Sequence, residues 1–91
     1  MARIDIRRKH TLPMKDARKA VDKLAKQISK EFDVACSWDG NVLAFSRSGV
    51  DGHIALEKNE VHVYAELGFL MGVMKSTIES EINRHLDEQI G

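Results

Sequence analysis

Histidine and carboxylate side chains cluster around a predicted turn in the second half of the chain, where they could bind a metal ion. His53 and His62 flank Glu57 and Glu60. Two imidazole groups and a carboxylate form a common ligand set for zinc. Polar residues on a solvated strand face would give the same pattern, and this second interpretation is the one we favour. We therefore predict no metal site and no cofactor.

No group of residues in the sequence is typical of a catalytic site. Phosphate-binding glycine loops and the HExxH, CxxC and GxSxG motifs are absent. Cys36 is the single cysteine, which excludes an intramolecular disulfide and fits a reducing compartment. It alternates with Val34 and Trp38 on the apolar side of a predicted strand. We expect Cys36 and Trp38 to be core residues, and we expect a non-enzymatic protein without catalytic residues.

Basic residues are concentrated at the start of the chain, although the net charge of the whole is zero. Residues 1–30 carry ten Lys or Arg against three Asp, a net charge of +7, and residues 31–91 carry the opposite charge of −7. Such a split indicates an anionic partner, attraction between the two halves or simply a solvated basic face. The candidate anionic-partner face is the polar side of the first predicted helix, which consists of Lys15, Lys19, Lys23, Lys26 and Lys30.

Two amphipathic helices are predicted, one near each end of the chain. In the first, apolar residues recur at three- and four-residue spacings from Ala17 to Phe32, as in a helix with one buried side. Thr11 is the predicted N-cap, and Pro13 lies near the first turn, where its missing N–H does no harm. The second helix is predicted to start near Gly68 and to end at about Gln89.

Four strands between these helices are predicted to form two hairpins. A type I′ turn at Asp39-Gly40 would pair Trp38 with Asn41 and Cys36 with Leu43. This register places the large apolar residues on one face of the sheet.

The second hairpin follows the same logic. A turn at Lys58-Asn59 would pair Leu56 with Val61 on the apolar face, and it would place His53 opposite Tyr64 on the other face.

The elements together predict an α+β fold with the order β-α-β-β-β-β-α, as one domain over residues 1–91. The first strand contains Ile4 and Ile6 and is expected at the sheet edge beside Val61–Leu67. Both helices should pack on the same face of the antiparallel sheet, because the opposite face lacks large apolar residues. Between the hairpins, Gly49 and Gly52 predict a turn or a bulge.

The sheet face opposite to the helices is predicted to bind a partner. Solvated strand faces usually carry long polar side chains, whereas the centre of this one is Ala and Ser. Small residues allow a second flat surface to approach closely. The alternative is an ordinary exposed face that happens to be small. The candidate partner face consists of Ala35, Ser37, Ala44, Ser46, Ala55, His62 and Tyr64.

The second helix has an apolar stripe with an unusual repeat. Its members recur every four residues, at Leu70, Met74, Ile78, Ile82, Leu86 and Ile90. A four-residue step over-rotates by about 40° on a helix with 3.6 residues per turn. We therefore expect one sheet to bury only part of the stripe and Leu86 or Ile90 to lie near a partner.

The chain resembles a known family across nearly its whole length, and most strongly from Phe45 to Ile54. The shared pattern is Ile4-x-Ile6, His10-x-Leu12, Ala17-Arg18, Trp38-x-Gly40, Phe45-x-Arg47-Ser48-Gly49-Val50-x-Gly52-x-Ile54, Leu67-Gly68, Ile78-Glu79 and Leu86-Asp87. It is similar to the polyhydroxyalkanoic acid system proteins, small bacterial proteins encoded beside genes for polyhydroxyalkanoate synthesis and storage granules. Asp33 departs from the glycine expected after Phe32. The resemblance implies association with granules or regulation, and it brings no catalytic residues.

Three functions follow as hypotheses. The first is a non-enzymatic binding or regulatory protein of polyhydroxyalkanoate metabolism, which contacts granule proteins or forms a homodimer in the cytoplasm or at the granule surface. The second is a small-molecule carrier or an enzyme that uses a cavity between the sheet and the helices, lined by Trp38, Phe45, Met71 and Met74. The third is a weak nucleic-acid or anionic-surface binder that uses the lysines, although nucleic acid is not expected because aromatic residues do not interleave with them. No signal peptide and no transmembrane segment are predicted.

Overall fold

A computed structural model describes residues 2–68 and 71–90 of the chain. It confirms the predicted α+β class and the predicted order of elements. In chain order these are β1 (Ala2–Lys9), α1 (Met14–Phe32), β2 (Ala35–Asp39), β3 (Val42–Arg47), β4 (Val50–Leu56), β5 (Glu60–Leu67), a short 3-10 turn (Met71–Met74) and α2 (Lys75–Gln89).

The five strands form one antiparallel sheet in the order β1-β5-β4-β3-β2. β1 lies at the edge beside β5, as predicted, and Ile4 is opposite Ala65. Helix α1 must therefore carry the chain from one sheet edge to the other. Its 19 residues extend about 28 Å. That length is sufficient to cross four inter-strand gaps, which total about 19 Å.

The second hairpin has the predicted register, but the first differs from the prediction. In the second, Leu56 is opposite Val61. In the first, the turn residues are Gly40-Asn41 rather than Asp39-Gly40, and Cys36 is opposite Phe45 instead of Leu43. Gly40 has φ of +62° whereas Asn41 does not have a positive φ, so the turn places glycine at the first central position, as type II′ turns do. The shift keeps the same side chains on the same face.

The two glycines between the hairpins have different roles. Gly49 has φ of +85° and occupies the turn between β3 and β4, as predicted. Gly52, by contrast, is an ordinary residue of strand β4 opposite Phe45. A Cβ atom on Gly52 would lie 2.5 Å from the ring Cζ of Phe45. Gly52 is thus required because an aromatic ring and the backbone of the neighbouring strand β5 both lie against it.

The connection from β1 to α1 is organised by His10 and not by the predicted N-cap, Thr11. The N-cap position of α1 is Pro13, and no side chain caps the helix. His10 is buried, and its Nδ1 accepts a hydrogen bond from the backbone N–H of Leu12 at 3.2 Å. Its Nε2 then carries the proton and donates to the carbonyl oxygen of Glu57, also at 3.2 Å. His10 therefore joins this connection to the β4–β5 turn.

Both helices pack on the same face of the sheet, as predicted, and the layer between them is filled. Side chains of α1, α2 and the sheet enclose a cavity of about 10 Å³, lined by Leu24, Ala25, Ile28, Cys36, Phe45, Ile54, Val63 and Ile82. This volume holds one water molecule at most. Of the predicted cavity residues, Phe45 lines it and Trp38 does not, Met74 lies exposed near the start of α2, and the side chain of Met71 lies outside the described part of the chain.

The apolar stripe of α2 is buried within the chain over its central part. Ile78, Ile82 and Leu86 belong to the core, and Leu86 is fully buried. Of the two residues expected near a partner, Leu86 is therefore excluded, and the expectation for Ile90 stays a prediction. The regular helix begins at Lys75 rather than near Gly68, so the three central positions drift by only about 80° and stay on one side. Ile90 is partly buried against the core, and Leu70 lies outside the described residues.

Candidate partner-binding surfaces

The outer face of the sheet, which is the face opposite to the helices, brings the seven predicted partner-face residues together. The registers align them in rows across the strands. The central row consists of Ser37, Ala44, His53, Tyr64 and Asp5. The rows on either side contribute Ala35 and Ser46, and Val42, Ala55 and His62.

Small side chains are concentrated on one half of the outer face. Ala35, Ser37, Ala44 and Ser46 on β2 and β3 are exposed, because both helices pack on the other side of the sheet. Exposed Val42 adds an apolar side chain to this half. The side chains there are short and weakly polar, which allows close approach by another flat surface.

The other half of the outer face is aromatic and charged. The ring centroids of His53 and Tyr64 are 5.5 Å apart, and those of His53 and His62 are 6.3 Å apart. Nε2 of His62 lies 2.7 Å from Oδ1 of Asp5 on β1. The Tyr64 hydroxyl donates to Glu66 at 2.9 Å, and this bond to a carboxylate is the main reason why the pKa of Tyr64 is raised. These contacts hold the polar side chains of this half in defined positions.

Among the described residues, the closest group of possible metal ligands lies between the two helices. Glu31, Glu81 and the buried His85 place one ligand atom each within 4.8 Å of one another. Sequence spacing did not reveal this group, because Glu31 is on a different helix. The guanidinium of Arg84 lies 2.6 Å from Glu81 and 3.7 Å from Glu31. It pairs with both carboxylates and is the main reason why the pKa of Glu81 is lowered, so we interpret the group as an ion-pair network.

The five predicted lysines are all exposed along α1. Lys26 pairs with Asp22 at 3.1 Å. The other four form no salt bridge with the carboxylates of residues 2–68 and 71–90. Charge attraction between the two halves of the chain instead involves arginines of β1: Arg7 pairs with Glu60 at 3.0 Å, and Arg8 binds Asp87 of α2. The two halves therefore do attract each other, but without these lysines.

Trp38 lies at the open end of the sheet and not inside the core. Its ring is half-buried beneath the guanidinium of Arg18, which is 4.2 Å from the ring centroid. The indole Nε1 donates to Asp22 at 3.1 Å. This bond and the nearby Lys26 hold the pKa of Asp22 below its ordinary value. The prediction of a core tryptophan overlooked that β2 is an edge strand.

Cys36 also differs from the prediction. Its side chain points to the helix side of the sheet, where it lines the small cavity, yet the residue is exposed because β2 has no neighbouring strand beyond it. Partial burial, together with the negative charge of Asp22, raises the pKa of the thiol. The neutral thiol is therefore the favoured form, which does not suit a nucleophile.

Comparison with known proteins places the chain in a family. The family model described as "Putative polyhydroxyalkanoic acid system protein" matches residues 4–90. The chain therefore belongs to this family, as its sequence pattern predicted. No curated protein and no solved structure matches it. In the described residues, no helix is long and apolar enough to cross a membrane.

Proposed function

We propose that this protein is a non-enzymatic binding or regulatory protein of polyhydroxyalkanoate metabolism, and that it acts through contacts with other proteins or with a second copy of itself. Family membership supports the metabolic setting. The observation that carries the mode of action is the outer face, where Ala35, Ser37, Ala44 and Ser46 are exposed beside one another. The site of action would be the cytoplasm or the surface of storage granules.

The packing between helices and sheet favours this proposal over a small-molecule carrier. A carrier of drug-sized ligands needs a pocket of about 300 Å³ or more. The cavity in the core has a volume of about 10 Å³, and the larger space beside β2, of about 470 Å³, is an open groove and not an enclosed pocket. The outer face offers a broad surface instead. Its aromatic and charged half can orient a partner through the pair of His62 with Asp5.

A charge placed on a small residue of the outer face tests the proposal. Ala44→Lys and Ala55→Glu each put a long charged side chain where a flat partner would pack. We expect each to weaken self-association, or binding to isolated granules, by about tenfold or more, because a buried unpaired charge in an interface is strongly unfavourable. Sedimentation of the purified protein and granule fractionation from polyester-producing cells measure the two effects.

Ser48→Lys is the matched control, because Ser48 is exposed in the turn after β3 and outside the outer face. It should leave both measurements unchanged. A protein that is strictly monomeric at high concentration, is absent from granules and from complexes with granule proteins, and is unaffected by Ala44→Lys would contradict the proposal.

A further inference from the structure

Strand β2 presents an open backbone edge. It is bonded on one side to β3, and the described residues make no other hydrogen bond to its backbone. Four of its five residues are exposed, the exception being Trp38. An unpaired strand edge of this kind is a template for the addition of a further strand.

The two edges of the sheet differ in how well they are protected against pairing with another strand. β1, at the opposite edge, carries the exposed charged residues Arg3, Asp5, Arg7 and Lys9 along its length. Charged side chains on an edge strand discourage pairing with another chain. β2 has the sequence ACSWD, so its only charge is Asp39 at the very end. Of the two edges, β2 is the one that is left open to pairing.

A groove runs along β2 on the side that faces α1. Its floor is mainly apolar and contains Ala25, Val34, Cys36 and Leu43. Ser29 lies on the α1 wall of the groove, and its hydroxyl donates to the carbonyl oxygen of Val34 at 2.6 Å. The groove can therefore accept a small apolar side chain from a strand that pairs with β2.

The wall of α1 beside this edge is basic. Lys26 borders the groove, and Lys15, Arg18 and Lys19 surround the adjacent ring of Trp38. Asp22 lies among them, but its carboxylate is already engaged by Trp38 and Lys26. Within the described part of the chain, Lys15 and Lys19 have no carboxylate partner. A strand added to β2 would place its helix-side residues close to these cations.

We propose that β2 binds an extended acidic segment of a partner protein as a sixth strand of the sheet. Backbone hydrogen bonds to β2 would provide most of the affinity. Small apolar side chains of the segment enter the groove over Cys36, and its Asp or Glu residues face Lys15, Lys19 and Lys26. Pairing with β2 of a second copy is disfavoured, because it would bring two basic α1 helices side by side.

The edge of β2 adjoins the outer face, to which Ala35 and Ser37 also belong, but pairing uses the β2 backbone and the groove beside α1, so the inference goes beyond the proposed function and is tested separately. The probe is a short capped peptide with the repeat Glu-Thr-Val-Thr, which places its Glu and Val side chains on the same face of an extended strand, titrated into the ¹⁵N-labelled protein. The amide signals of Ala35–Asp39 and the indole signal of Trp38 should shift, whereas the signals of Ala2–Lys9 should not. A peptide with the repeat Lys-Thr-Val-Thr should bind at least about tenfold more weakly, because its Lys side chains would face the like charges of α1.

Two controls separate edge pairing from general attraction. Lys15→Glu combined with Lys26→Glu should weaken binding of the acidic peptide by about tenfold. Lys23→Glu, on the same helix but away from the groove, should change it little. N-methylation of the central peptide bonds should abolish binding without any change to the protein.

Equal binding of the acidic and basic peptides, shifts confined to other strands, or full binding of the N-methylated peptide would overturn the inference. Concentration-dependent shifts of the same β2 amides without peptide would also overturn it, in favour of pairing between two copies.

Discussion

Asp33 ends helix α1 in a backbone conformation that is ordinarily occupied by glycine. It has φ of 55° and ψ of 45°, in the left-handed region, which costs most L-residues about 1–2 kcal/mol. Its negative charge also lies at the end of the helix where the macrodipole favours cations. The departure from glycine at this position, visible in the sequence, is thus a small local instability in the fold.

Replacement of Asp33 should therefore change stability in a predictable direction. Asp33→Gly should raise the free energy of unfolding by about 0.5–1 kcal/mol, because it removes the steric cost and the unfavourable charge. Asp33→Ala should lower it, since alanine lacks the short polar side chain that tolerates this conformation. Asp33→Asn keeps the short polar side chain and removes the negative charge, so it measures the effect of the charge alone. Denaturant unfolding measures all three, and a stabilising Asp33→Ala would contradict the explanation.

Sequence patterns predicted which side chains face the core and which face solvent better than they predicted individual contacts. All five lysines of α1 and the small residues of the outer face are where alternation and helical spacing placed them. Cys36 and Trp38 were placed in the core because alternation shows which face a side chain is on and not whether anything covers it. The contacts of His10 and His85 join segments far apart in the chain, and no local pattern encodes them.

At the scale of elements, the contact of Gly52 with Phe45 determines how β3 and β4 pack. A Cβ atom on Gly52 would lie 2.5 Å from the Phe45 ring and 2.5 Å from the carbonyl oxygen of Tyr64. The first contact could be relieved by a movement of the ring, but the second involves the backbone of β5. Even alanine would therefore require the sheet to move.

Gly52→Ala should lower the free energy of unfolding by about 1–3 kcal/mol, the usual cost of overpacking a core. Phe45→Leu in the same chain should restore only part of this loss, because the clash with the Tyr64 carbonyl oxygen remains. Gly72→Ala is the control, since its added Cβ would make an ordinary contact at 3.5 Å. Thermal unfolding followed by circular dichroism measures these effects. A Gly52→Ala variant as stable as the wild type would disprove the account.

Element boundaries were harder to predict than element types. The register of the first hairpin was wrong because Asp-Gly and Gly-Asn are both good turn pairs and share the same glycine. The start of α2 was misplaced because the apolar repeat continues into the sequence before Lys75. Both errors kept the same side chains on the buried face, so the overall fold was still predicted.

At the scale of the whole molecule, a zero net charge conceals pairs that depend on ionised carboxylates. Asp22 accepts a hydrogen bond from Trp38 and pairs with Lys26, and its pKa is lowered from 3.8. Glu81 binds Arg84, which lowers its pKa from 4.5. Asp22 connects α1 to the end of β2, and Glu81 belongs to the network between the two helices. Acid should therefore weaken the contacts that hold the helix layer in place.

The sign of this effect follows from proton linkage. Both carboxyl groups bind protons less readily in the folded chain than in the unfolded chain. Their contribution to the free energy of unfolding is therefore complete above the unfolded pKa values, and it is lost as the pH falls through the lower pKa values of the folded chain. The midpoint temperature of thermal unfolding should therefore decrease once the pH is lowered below about 5, where carboxyl groups begin to protonate. Asp22→Asn combined with Glu81→Gln should make this pH dependence shallower, whereas Glu57→Gln, at an exposed position in the β4–β5 turn, should leave it unchanged. If the double variant kept the wild-type slope between about pH 5 and pH 3, other groups would have to control the acid stability of this fold.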